Sequence, residues 1–432
     1  MPDIETSTIA AVSRRLTPFL FLLFVVNFLD RVNVGFAALQ MNADLGFTPE
    51  IFGFGVGLFF IAYLLFEIPS NLLMQKVGAR FWIARIMISW GVLSTAMAFI
   101  SGTTSFYVLR FLLGLAEAGF VPGILLYLGQ WFPAKARAAA VAKFMTASAI
   151  SIVIGAPISG AVMSLGGFLG LKGWQWMFIL EGVPAVLLGL VVLAYLTDRP
   201  GGANWLSAEQ RAWLTATLER EAAAKSGHGM SDLRAGLRDP KIWLIGAVYF
   251  CIGIGFYGVS LWLPQIVRQL SGLSSFMVGL LTALPFVGAA AAMVLNGRHS
   301  DRTGERRWHV IVSCLLGAAG FGIGALATSP VVAFLGVCLG AIGIWGSIGV
   351  FWSLPMAFLG STAAAAGIAL VNSLGNVGGF VGPYPIGWLR ARTPDFSASL
   401  LLIAGFLVLG CLLVAVLQRD RAAVPASGKE FA

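Results

Sequence analysis

"TPFLFLLFVVNFLDRVNVGFAAL", residues 17–39, is long enough to cross a bilayer, yet Asp30 and Arg31 stand side by side within it. About 20 apolar residues span the hydrocarbon of a membrane. An ionisable side chain at its centre costs on the order of 3 kcal/mol by insertion scales. The run therefore predicts a membrane helix, and the pair marks a place where charge is retained for a purpose.

Runs of this length recur at roughly 50–74, 82–102, 105–132, 138–164 and 174–197. After a polar gap they resume at roughly 241–267, 275–296, 308–327, 330–356, 364–389 and 397–417. The expectation is an all-α integral membrane protein with 12 transmembrane helices in two six-helix bundles. The bundles cover 1–197 and 241–432, joined by a cytoplasmic linker at 198–240. Of the residues 58% are hydrophobic and 11% charged, whereas soluble domains carry about 25% charged residues, so a soluble enzyme is excluded. The +9 formal charge is not gathered into a stripe, which argues against nucleic acid as a partner. With both termini cytoplasmic, the inside segments hold 21 Lys and Arg against 4 outside, as the positive-inside rule requires. The expected location is the plasma membrane, here a bacterial inner membrane. "SRRLTPFL", residues 13–20, superficially matches a twin-arginine signal, but the membrane segments that follow make an uncleaved first helix the better reading.

The four cysteines lie singly in apolar runs, and His228, His299 and His309 fall in polar connections. No metal site, cofactor site or nucleophile–base set is expected, so the chain does not read as an enzyme. In the linker, "LSAEQRAWLTATLEREAAAK" (206–225) opens with a capping box, Ser207 with Gln210. Trp213, Leu214 and Leu218 share one side, which predicts a helix lying on the cytoplasmic membrane surface. The two halves also echo each other: "QKVGAR" (75–80) matches "DRTGER" (301–306). Weak internal symmetry of this kind accompanies transporters built from repeats.

These residues resemble the major facilitator superfamily. "GRHSDRTGERR" (297–307) is similar to its cytoplasmic signature, with Asp301, Arg302 and Arg306 as the gating or structural residues the resemblance implies. In the first-half copy Gln75 stands where the signature has Asp. "RFLLGLAEAGFVPG" (110–123), "GWQWMFILEGVPAVLLG" (173–189), "NSLGNVGGFVGP" (372–383) and the Asp30 stretch resemble the anion:cation symporter family. Within it the likeness is to tartrate, phthalate and hexonate permeases.

At 1.5 Å per residue, Asp30, Arg31 and Glu117 fall near mid-depth, and Arg110 lies on the same helix face as Glu117. Tyr63, Glu67 and Asn71 share one face of the second run, with Glu67 a candidate for the gate between the halves. Arg85 is near enough to the cytoplasmic end to snorkel. Glu181 reads as helix packing. The last six runs contain no Asp, Glu, Lys or Arg in their interiors. They offer Tyr257, Trp345, Ser347, Asn372 and Asn376, neutral groups suited to hydroxyls or a ring. Asn27, one turn before Arg31, joins the binding candidates.

A guanidinium matches a carboxylate bidentately and keeps its proton. Arg31, with Arg110 as a second candidate, is expected to bind a small organic anion. Asp30 is expected to carry a proton: an anion on Arg31 cancels the field that keeps its neighbour ionised, so anion and proton favour each other's binding. The family resemblance implies a second proton site at Glu117. The resulting expectation is a proton symporter for a hydroxylated acid, working by alternating access as a monomer embedded in lipid. Pro122, Pro157, Pro285 and Pro355 are candidate bending points. Competing readings are an aromatic carboxylate as substrate, an inorganic-anion carrier, and a nutrient receptor that moves nothing.

Overall fold

A computed structural model describes residues 3–225, 239–354 and 364–417. Among them every regular element is a helix. The first six crossings are α1 (Ile4–Leu45), α2 (Pro49–Val77), α3 (Ala79–Ala96), α4 with α5 (Thr103–Glu117, Phe120–Trp131), α6 with α7 (Ala134–Met145, Ala147–Val162) and α8 (Gly173–Tyr195). The linker forms α9 (Ala208–Lys225). There follow α10 (Pro240–Ser271), α11 (Ser275–Thr303), α12 (Arg307–Leu326), α13 (Pro330–Phe351), α14 (Ala364–Val381) with α15 (Pro383–Arg390), and α16 (Ser397–Val416). Pro355, His228 and linker residues 226–238 lie outside the described residues.

Eleven helical segments among the described residues are long and apolar enough to cross a bilayer. The eleventh expected crossing, 364–389, is divided at Gly382 because Pro383 has no N–H to continue the ladder and starts α15 instead. The fourth crossing is also divided. Ala118 is extended (ψ 129°) and Gly119 is left-handed (φ 88°), so α4 ends on Glu117. A Cβ at Gly119 would stand 2.4 Å from Ser70 Oγ, which leaves glycine as the residue that fits both the angle and the gap.

The packing has a repeating plan. The first crossing lies against the fifth and sixth, the second against the fourth, and the third against the sixth. The same pairs recur six crossings later: seventh against eleventh and twelfth, eighth against tenth, ninth against twelfth. Between the halves the fifth meets the eighth and the second meets the eleventh, which are again equivalent pairs, while the first meets the seventh. Two similar bundles thus face each other about a pseudo-two-fold axis.

The halves approach most closely toward the end remote from the basic connections, called here the far end. A Cβ at Gly53 would stand 2.8 Å from the Pro383 carbonyl oxygen, and one at Gly160 would stand 2.8 Å from that of Ser275. Only glycine lets these backbones cross so closely. Arg392 reaches Glu50 across the same end at 3.3 Å.

The linker helix departs from expectation. Rather than lying on the membrane, α9 is clamped to the basic end of the first half. Glu221 accepts from Ala134 N (2.8 Å) and Arg137 Nη2 (3.1 Å). Leu214 is buried, and Trp205 stacks on Trp131 with centroids 5.3 Å apart. The apolar stripe was legible in sequence, but the end of a helical bundle buries it as well as lipid does.

Candidate functional site

Asp30 and Arg31 are adjacent in sequence yet look in different directions, because successive side chains on a helix are separated by about 100° and do not face each other. Asp30, 1% exposed, accepts hydrogen bonds from Trp90 Nε1 at 2.6 Å, from Ser94 Oγ, and from Asn33 Nδ2 at 3.1 Å. Arg31 instead donates Nε at 2.9 Å, and also Nη2, to Oε1 of Glu117. The expectation that Arg31 acts chiefly on its neighbour Asp30 is therefore corrected: the acid in the arginine's fork is Glu117.

Glu117 is the last residue of α4 and wholly buried, with Oε2 lacking a hydrogen-bond partner. A carboxylate at a helix C-terminus faces the negative end of the dipole, so Arg31 is what holds it there. The Arg31 guanidinium also lies over the rings of Tyr63 (5.0 Å) and Phe59 (5.5 Å). Arg110 shares Phe59, its guanidinium 4.9 Å from the ring centroid. It is 1% exposed, and its Nε and Nη1 have no hydrogen-bond partner. Asp30 and Glu117 are the acids near it. Asn27 is buried with neither end of its amide partnered. A cation and an amide with donors unused, beside an ion pair, form a site equipped for an anion with several acceptor oxygens.

The second half closes this site with neutral groups. Asn372 Nδ2 donates to Glu67 Oε1 (3.1 Å) and Asn376 Nδ2 to Glu67 Oε2 (3.3 Å). Tyr257 donates to Asn376 Oδ1 (3.2 Å) and lies beside Arg31. The bonds of Asn372 and Asn376 to Glu67, and the Glu50–Arg392 contact, join the halves directly. Glu67, Asn372, Asn376, Tyr257, Tyr63 and Arg31 are thus brought together. Trp345 and Ser347 are not: Trp345 is buried against Phe256 (4.6 Å) and Phe286 (4.9 Å), and the Ser347 hydroxyl donates to Ile344 O of its own helix. At the basic end Arg306 pairs with Asp301 at 2.6 Å while Arg302 is exposed. Where the first-half copy has Gln75, the carboxylate comes from elsewhere: Asp198 Oδ1 accepts from Arg80 N at 2.8 Å, capping the start of α3. Arg85 lies over Trp82, 4.0 Å from the ring centroid.

Sequence reasoning missed Trp90, Ser94 and Asn33 as partners of Asp30, and Phe59 as the ring shared by both arginines. A signal for the first pair existed. Trp90 and Ser94 are four apart, so two hydrogen-bonding side chains share a face in an apolar run.

A family model for the Major Facilitator Superfamily matches residues 20–383. The chain belongs to the major facilitator superfamily. A protein of Agrobacterium vitis provisionally named a tartrate transporter is 54% identical over 417 residues, covering 96% of each chain. A quinolone resistance transporter of Acinetobacter baumannii is 39% identical over 411 residues, 95% of each chain. Among solved structures, a bacterial homologue of the human lysosomal transporter Spinster, inward-facing and unoccupied, superposes with TM-score 0.78 over 96% of this chain and 97% of its own, at 16% identity. The likeness to that structure shows the major facilitator fold. This superfamily member is accordingly a multi-pass membrane protein of a transporter family.

Proposed function

We infer that this transporter imports a small hydroxylated carboxylate together with protons. The observation that carries the reading is the Arg31–Glu117 pair at mid-depth. An internal carboxylate occupies the fork that an anionic substrate needs. When a substrate carboxylate takes its place, Glu117 is left buried without a cation, and it is neutralised most cheaply by taking a proton. Anion and proton binding then favour each other. Asp30, held by three neutral donors and facing Arg110, is the second proton site. Arg110 and Asn27 supply unused donors for the rest of the substrate, and Tyr257, Asn372 and Asn376 bind its hydroxyls. The Agrobacterium relative's name supports tartrate as the first acid to test.

The bundles 1–197 and 241–432 rock about this site, joined by the 198–240 linker, with both termini in the cytoplasm. In that orientation the far end is external, and the glycine crossings close the outer side. The signature residues Asp301 and Arg306 brace the inner side, and one chain suffices for the cycle.

The aromatic lining favours one alternative. Phe59, Phe60, Tyr63, Phe256 and Tyr257 lie beside the arginines or beside one another, and would stack on an aromatic carboxylate such as phthalate. One experiment separates the two. Purified protein in vesicles with a lumenal pH dye is given tartrate, hexonates, hexuronates, phthalate and hydroxyphenylacetate without an imposed gradient. Lumenal acidification by a hydroxylated acid supports the main reading, and acidification by phthalate alone supports the alternative. Net uptake of a labelled acid without acidification refutes proton coupling.

A further inference from the structure

Glu181 is the buried acid that this transport scheme leaves unused. It lies in the middle of α8, about 12 Å from that helix's far end at 1.5 Å per residue. It is 8% exposed. Ser159 Oγ of α7 donates to its Oε1 at 2.8 Å, and its Oε2 has no hydrogen-bond partner. Asn33 of α1 lies near it, and its amide donates to Asp30 at 3.1 Å. One amide therefore stands between two carboxyl groups. Among the described residues, α3 contributes only the neutral Trp90 and Ser94 to this cluster, and α7 contributes Ser159. Asp30 is the charged group that faces Glu181, and Arg110 and Glu117 face Asp30 from α4. No cation pairs with Glu181 among the described residues.

The two acids are dressed differently. Asp30 collects three donors on two oxygens, the environment of an ionised carboxylate. Glu181 has an oxygen with no donor, the environment of a neutral acid, because an unpaired buried charge is expensive. We propose that Glu181 is a further protonatable site of the transport cycle, storing a proton for Asp30, with Asn33 as the positioning residue between them. This rests on the reading of Asp30 as a proton site. In the transfer the O–H bond at Glu181 breaks and one forms on Asp30. The negative charge moves to Glu181, and the Asn33 amide donates to whichever carboxylate is ionised. Such a pair titrates as a unit.

The test needs no knowledge of the substrate. Infrared pH-difference spectra are recorded on the full chain in lipid, for the wild type, Glu181→Gln, Ser159→Ala and Asp30→Asn. The wild type should show the C=O stretch of a protonated buried carboxyl, and Glu181→Gln should lose it. Ser159→Ala should shift its frequency, which covers the case in which Glu181→Gln does not fold. Asp30→Asn should move the pH at which the band is lost by about one unit. A band unchanged in both Glu181→Gln and Ser159→Ala overturns the proposal, as does a band indifferent to Asp30→Asn. Uptake of labelled tartrate driven by a pH gradient separates the two levels. Full uptake by Asp30→Asn overturns the reading of Asp30 itself. Loss of uptake there, with an unaltered pH profile in Glu181→Gln, overturns the storage role alone.

Discussion

Replacing Glu117 by Gln removes the internal competitor for Arg31 while keeping its shape. Two donors of Arg31 converge on Oε1 of Glu117. Hydrogen bonds to a charged group contribute about 1.5–3 kcal/mol each, and neutral ones about 0.5–1.5. In the wild type, an incoming carboxylate exchanges charged bonds for charged bonds, so this exchange gains it little. In Glu117→Gln it exchanges neutral bonds for charged ones, a net gain of about 2 kcal/mol, or roughly thirtyfold in affinity. The anion-free variant should be less stable by about 3 kcal/mol, because a buried arginine has lost its counter-charge. Anion at 100 times its Kd should return about 2.7 kcal/mol.

The same substitution removes one proton from the binding equilibrium. A proton taken up with the anion makes wild-type affinity fall as pH rises, by up to about tenfold per unit. Glu117→Gln should lower that slope by one proton. Calorimetric titration of the purified protein with tartrate at pH 6, 7 and 8, together with thermal unfolding, reads both effects. A variant that binds no more tightly than wild type, or that keeps the wild-type pH slope, would show that Glu117 does not compete with substrate for Arg31.

Arg31→Lys keeps the charge but replaces the planar fork with a point donor. It should raise the KM for uptake by about tenfold or more, and an unchanged KM would place the carboxylate elsewhere. Gly53→Val puts a side chain where even a Cβ would stand 2.8 Å from the Pro383 carbonyl oxygen. The far end should then fail to close, so uptake is lost while tartrate binding survives. Retained uptake would show that the crossing tolerates separation.

The crossings were legible because a bilayer imposes one length and one polarity on every span; boundaries failed where polar ends continued as helix and where a run broke, as after Glu117, after Val381 and at Ala96. α1 runs from Ile4 to Leu45 although the apolar run is 17–39, since Thr8, Val12 and Leu16 bury one face of its first turns and Gly46 ends it in the left-handed conformation. Depth was legible in part: Arg31 and Glu117, both expected near mid-depth, meet in one ion pair, while Arg110 stands seven residues before Glu117 on α4, about 10 Å along the helix. What could not be read was direction. Adjacency suggested that Asp30 and Arg31 act on each other, but the helix sends them to α3 and α4. Pairing across 60 or 86 residues depends on how crossings turn about their own axes, and an apolar sequence encodes that only through shape. The Glu67 contacts with Asn372 and Asn376 were hidden for the same reason.

On the proposed reading, the uneven division of charge makes the two internal carboxylates, Glu117 and Glu67, the groups a substrate must replace. The second half contributes amides and a phenol to the site, and such groups cannot hold an anion against water by themselves. In the absence of substrate Glu67 satisfies them, just as Glu117 satisfies Arg31. A hydroxylated acid can replace both at once, with its carboxylate on Arg31 and its hydroxyls on Asn372 and Asn376. Both displaced acids then sit buried without partners, and protons are the available remedy. The lock between the halves would thus pass from Glu67 to the substrate, so closure around the site would depend on the substrate's being present. A ligand bearing only a carboxylate would free Glu117 and leave the Glu67 bridge intact. On this argument, discrimination among organic acids lies in the neutral half, whereas affinity and proton coupling lie in the charged one.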